Sequence, residues 1–108
     1  MRRIEGDFPL VPPADVTRAR IVGVRWLTPG VAAMTIGRLI LLRRDHAEDR
    51  ALLAHELVHV RQWRELGPVR FLWRYLGAYL RARASGLGHQ QAYRAIPLEV
   101  EARELAGR

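Results

Sequence analysis

The segment His55-Glu56-Leu57-Val58-His59 places two imidazoles four residues apart, with a carboxylate directly after the first. On an α-helix this spacing stacks both rings on one side, one turn apart, close enough to share a metal ion. Glu56 projects from the adjacent position, where a carboxylate can reach a metal-bound water without being a ligand itself. Zinc lowers the pKa of such a water to about 7, and Glu56 could then accept its proton as a general base. The implied reaction class is hydrolysis of a peptide or another amide. A pattern of five residues, two of them free, also arises by chance, so its surroundings matter. Leu52, Leu53, Leu57 and Val58 enclose the polar trio. Polar groups buried without partners cost roughly 2–7 kcal/mol each, and a metal would be such a partner.

A catalytic zinc takes three protein ligands and one water. A third histidine six residues beyond the second is absent, because that position is Glu65. Gln62 stands where that variant requires a turn-forming glycine. His46 and His89 sit in polar stretches and read as ordinary surface histidines. A better source is the segment Leu98-Glu99-Val100-Glu101-Ala102-Arg103-Glu104-Leu105. Glu101 follows Leu98 by three positions and precedes Leu105 by four, which puts it at the border of a helical apolar face. Glu101 is therefore the expected third ligand. Glu99 comes next and, with Glu104, is placed further toward solvent.

The elements that must hold these groups are legible in outline. Three of the six prolines fall within residues 8–13, which read as an extended arm. Ala19 to Leu27 is rich in β-branched residues and reads as a strand. After a turn at Thr28-Pro29-Gly30, two further strand-like pieces follow at 31–36 and 38–43, with Gly37 as a bend or bulge between them. From Ala47 the period changes to that of a helix, which Gly67-Pro68 ends. A second amphipathic helix over 69–84 gathers Val69, Leu72, Trp73, Leu76 and Leu80 on one side and Arg70, Arg74 and Arg81 on another. A short helix near 89–95 and a last one opened by Pro97 complete the chain. The expected class is α+β, a small N-terminal β-sheet followed by three or four helices. Residues 1–18 form the arm and 19–108 a single domain.

Composition narrows the chemistry. The 108 residues suffice for one domain. There is no cysteine, so disulfides and thiolate metal sites are excluded and His, Asp and Glu remain as ligands. All 18 basic residues are arginine and the net charge is +7. The arginines are scattered rather than clustered, so no nucleic-acid partner is expected. No apolar run is long enough to span a membrane, and no secretory leader is recognisable. The expected location is cytoplasmic, with delivery by a secretion assembly compatible. The oligomeric state is not encoded in any readable pattern.

Residues 31–62, reading Val-Ala-Ala-Met-Thr-Ile-Gly-Arg-Leu-Ile and then Leu-Leu-Ala-His-Glu-Leu-Val-His-Val-Arg-Gln, resemble the zincin-like domain associated with extracellular contractile injection systems. In that family a strand with Ala-x-Thr-x-Gly-x-x-Ile precedes a helix with Leu-Leu-Ala-His-Glu-Leu-x-His-Val-x-Gln. The resemblance spans about a third of the chain. It implies a metallopeptidase fold with zinc as cofactor and a peptide or protein substrate. A broader similarity to gluzincins, whose third ligand is a glutamate on a later helix often followed by alanine, supports Glu101-Ala102. It also implies that the strand at 34–42 lies beside a substrate cleft. No oxyanion stabiliser stands out among Tyr93, His89 and Tyr79.

Two other readings compete. Zinc could pin the Ala47 helix to the last helix in a non-catalytic interaction module. The 69–84 helix, with its arginines and aromatics, could also meet a partner or a membrane surface, although such a stripe usually means a core-facing helix with one solvated side. The arm, bearing Glu5, Asp7 and Asp15, is expected to lie across the cleft and keep it latent.

Overall fold

A computed structural model describes residues 1–28 and 30–107. Its elements are β1 (Arg2–Arg3), α1 (Pro13–Arg18), β2 (Arg20–Val24), β3 (Ala33–Ile36), β4 (Leu39–Arg43), α2 (Arg50–Ala84), α3 (His89–Ala95) and α4 (Pro97–Ala106). The α+β class expected from the sequence is observed. The four strands form one mixed sheet in the order β1-β2-β4-β3, with β2 and β4 parallel and both outer pairs antiparallel. Pro29 of the expected Thr28-Pro29-Gly30 turn lies outside the described residues.

Local chemistry explains most boundaries. Ile36 pairs with Leu39, so Gly37 and Arg38 form a two-residue hairpin loop rather than a bulge, and Gly37 takes φ +63°. Such tight loops need positive φ at their centre, which glycine adopts without a Cβ clash. The Asp49 carboxylate caps α2 by accepting from the Leu52 N–H at 3.0 Å. Gly67 takes φ +76° and ψ 162°, so α2 is two helical halves meeting at a sharp break. Pro68 then opens the second half, where its missing N–H has no cost.

The core lies between the sheet and the first half of α2. Ile21, Ile40 and Leu42 from the strands meet Leu53, Leu57, Val58 and Val60. Phe8, Val11 and Ala19 belong to the same cluster. Residues 1–18 are thus built into the domain: β1 pairs with β2, and Asp15 on α1 is fully buried against Arg64, with contacts of 2.6 and 2.9 Å. The arm was expected to lie across the cleft. Instead Phe8 and Val11 are spent in the core, with Ile4 and Val16 packed against it, and the buried Asp15 is already paired. α4 packs against α2, and its buried positions Glu99 and Ala102 share one face.

The second half of α2 departs from expectation. Its buried side chain is Phe71, with Tyr75 half-buried beside it, whereas Val69, Leu72, Trp73, Leu76 and Leu80 face solvent. Among the described residues no helix is long and apolar enough to cross a membrane.

Candidate metal centre

The uninterrupted run His55 to Val60 is buried, because this part of α2 is covered by the sheet, by α4 and by its own second half. Helical spacing sets the two imidazoles on one side, with ring centroids 5.0 Å apart. The group that meets them comes from α4, and it is Glu99. Its Oε1 lies 2.8 Å from His55 Nε2 and 3.1 Å from His59 Nε2. One ligand atom from each of these residues falls within 4.8 Å of the others, close enough to hold one metal ion. A tetrahedral ion bound at about 2.0–2.1 Å separates its ligand atoms by about 3.4 Å, so each of the two His–Glu99 contacts is within a few tenths of an ångström of that separation. Two imidazole nitrogens and one carboxylate, without thiolate, are donors suited to such an ion.

Glu101, the expected third ligand, is on the exposed side of α4. It pairs with Arg61 and accepts from Gln62 Nε2 at 2.8 Å. The expectation had centred the apolar face of α4 on Leu98 and Leu105. The buried face of α4 instead carries Glu99 and Ala102, three residues apart, which turns Glu99 inward. His46 sits beside Arg43 and Asp45, and His89 accepts from or donates to Tyr79 Oη at 2.8 Å, so neither histidine joins the cluster.

Around the three candidate ligands lies a second layer of contacts. His59 Nδ1–H donates to Gln62 Oε1 at 2.7 Å, which leaves Nε2 as the nitrogen turned toward Glu99. Gln62 is held in turn by donating to the Leu98 carbonyl at 3.0 Å and to Glu101. Glu101 therefore supports the site at one remove. Tyr75 Oη donates to Glu99 Oε2 at 2.5 Å, fixing the carboxylate from behind. The break at Gly67 makes this contact possible: it folds the second half back so that Trp63 stacks on Phe71 at 4.2 Å and Phe71 on Tyr75 at 5.5 Å. Phe71 and Tyr75 both stand nearly perpendicular to the His59 ring, with centroids 6.3 and 6.4 Å away. The sequence signal for this layer was the aromatic spacing Phe71–Tyr75 together with the Gln three residues after His59.

Glu56 lies on the β3 side. Thr35 Oγ1 contacts both its backbone carbonyl at 3.2 Å and its Oε1 at 3.3 Å, tying the edge strand to the carboxylate. Burial raises the Glu56 pKa, against the pull of the nearby His59 and His55 charges. Burial would lower the His59 pKa, but its hydrogen bond to Glu99 and the Glu99 and Glu56 charges outweigh that and raise it. Burial likewise works to raise Glu99, yet the hydrogen bonds from His55 and His59 hold its pKa well below the usual carboxylate range. Tyr75 and Tyr93 are pushed up by burial and then by the Glu99 charge, so both remain neutral hydrogen-bond donors.

Comparison with known proteins bears on one part of the chain. No curated protein and no solved structure matches it. Residues 26–67 match the family model described as the eCIS core domain, eCIS being the extracellular contractile injection systems. The matched stretch runs through β3, β4 and the first half of α2, and it ends at the Gly67 break. It includes His55, Glu56 and His59, while Glu99 lies beyond it. The chain thus shares with the eCIS core domain the segment that carries two of the three clustered residues.

Proposed function

We propose that this chain is a zinc-dependent hydrolase of peptide bonds. The observation that carries the reading is the convergence of His55, His59 and Glu99 on one point with the buried Glu56 beside them. Two histidines and a glutamate form a ligand set used for catalytic zinc. When bound, zinc supplies a Lewis acid and lowers the pKa of a water at its open position to about 7. His55 and His59 would hold it through the Nε2 nitrogens that face Glu99, and Gln62 keeps the His59 ring in the tautomer that permits this. Glu99 would supply the third ligand, and Tyr75 orients its carboxylate through Oε2. Glu56 takes the proton of the attacking water and returns it to the leaving amide nitrogen, a task suited to a carboxylate whose pKa burial has raised. Strand β3 lies at the sheet edge, and Thr35 links it to Glu56. An extended peptide pairing with that edge would bring its carbonyl to the cluster. The match to the eCIS core domain supports a role as a component or cargo of a contractile injection assembly.

A second reading has its own support. His55, His59 and Glu99 are all buried, and they join α2 to α4. A metal there would stabilise the fold without turnover, as structural sites do.

The test is zinc per chain in untagged protein, followed by cleavage of a fluorogenic peptide library. The expected results are about one zinc per chain, its loss in His59→Ala, and turnover by the parent that disappears in zinc-loaded Glu56→Gln. Zinc bound but no turnover above Glu56→Gln would leave the structural reading. Failure of the parent to take up zinc would end both.

A further inference from the structure

We infer that the outer face of the second half of α2 docks on an anionic lipid surface. Val69, Leu72, Trp73, Leu76 and Leu80 recur at helical spacing, so they form one continuous stripe. All five are exposed, Val69 by 80% and Trp73 by 81%. The opposite side of the same segment carries Phe71 and Tyr75, which are committed to the metal cluster. The apolar stripe is thus a surplus that the fold does not use, and exposed apolar surface of this extent marks an interaction site.

Charge selects the occupant. Residues 66–98 contain no Asp or Glu, yet they hold Arg70, Arg74, Arg81, Arg83 and Arg94. Arg70, Arg74 and Arg81 run in a row along one flank of the stripe, at spacings of four and seven. A helix lying in the interfacial plane of a bilayer has this build, with aliphatic and Trp side chains inward and arginines level with the lipid phosphates. Long arginine side chains reach those phosphates while their stems stay on the apolar side. A second copy of the chain fits less well, because a two-fold contact through this face would set arginine rows against each other with no acid on the segment to answer them. The surface uses none of the candidate metal ligands, so the inference stands apart from the proposed hydrolase activity.

The experiment is co-sedimentation of the full chain with vesicles of phosphatidylcholine alone and of phosphatidylcholine with phosphatidylglycerol, at low and at high salt. Binding is expected to the phosphatidylglycerol vesicles only, and to weaken as salt rises. Each arginine near an anionic surface is worth about five-fold in partitioning, so Arg70→Gln/Arg74→Gln/Arg81→Gln together should weaken binding on the order of 100-fold. Trp73→Glu/Leu76→Glu, at exposed positions where circular dichroism should be unchanged, should abolish it. No binding to anionic vesicles at low salt would overturn the inference. So would equal binding to both vesicle types, or a folded Trp73→Glu/Leu76→Glu protein that still sediments. A parent that forms dimers through this face and ignores vesicles would overturn it in favour of self-association.

Discussion

The two halves of α2 differ in what they do with the same kind of sequence. Before Gly67 the helix buries both its aliphatic and its polar residues, so Leu57 and Val60 lie in the core while His55, Glu56, His59 and Gln62 lie in a shared polar pocket. After Gly67 the helix buries an aromatic edge and leaves its aliphatic stripe in solvent. The first half is wrapped by the sheet, α1 and α4, whereas the second is held mainly from one side, through Phe71, Tyr75 and α3. A helical stripe therefore reports that something will cover a face. Which neighbour covers it depends on where the chain goes next.

That contrast can be broken most directly in the core. Leu57→Ala, at a fully buried position of the first half, should lose about 2–5 kcal/mol in urea denaturation. Leu76→Ala, at an exposed position of the second half, should change stability by less than about 0.5 kcal/mol. Equal losses would mean that both halves are packed, and the proposed lipid-facing surface would go with them.

The polar pocket can be sharpened next. Removing a group that orients a ligand costs about 10–100-fold in metal affinity, and Gln62→Ala should fall in that range by competition with a chelating dye. Glu101→Ala should cost less than Gln62→Ala, because Glu101 reaches the site only through Gln62. A larger loss from Glu101→Ala than from Glu99→Ala would restore Glu101 as the ligand.

The break itself is the third test. Gly67→Ala puts a Cβ on a residue at φ +76°, although no atom lies within contact distance of it. Backbone strain alone should cost about 1–3 kcal/mol, because positive φ with ψ 162° is open essentially to glycine alone, or roughly 4–8 °C of Tm per kcal/mol for a domain of this size. If the two halves instead straighten into one helix, His59 loses its aromatic neighbours and the metal affinity falls as well.

The smallest effect is chemical. His59 must be neutral to bind a metal through Nε2, and its pKa is raised in the folded chain. Proton competition should therefore begin above the ordinary imidazole value of about 6.5, and metal affinity should fall as pH drops through that raised value. The second half carries only arginines and tyrosines as titratable groups, so its surface should be indifferent over the same window. Titration of metal uptake and of vesicle binding across about pH 8 to pH 6 separates the two.

Much of this molecule was readable from residue order. The α+β class, the strands near 20–24, 33–36 and 39–43, the stop at Gly67-Pro68 and the helix opened by Pro97 all follow from period, β-branching and turn chemistry. These are local properties, fixed by a few neighbours along the chain. The pairing of His55 with His59 is local too, since helical geometry alone sets two rings four residues apart on one side. The choice between Glu99 and Glu101 is not local. Both lie on one helix, and the answer rests on which face of α4 is turned inward, the face that carries Glu99 and Ala102. The same holds for residues 1–18, whose prolines read as an arm but whose Phe8, Val11 and Asp15 fill a space made by distant segments. It holds again for the 69–84 stripe, where amphipathicity is written in the sequence but burial is not. Spacing along the chain fixes which side chains share a face. Only packing decides what that face meets, because it depends on contacts between segments that the sequence keeps far apart.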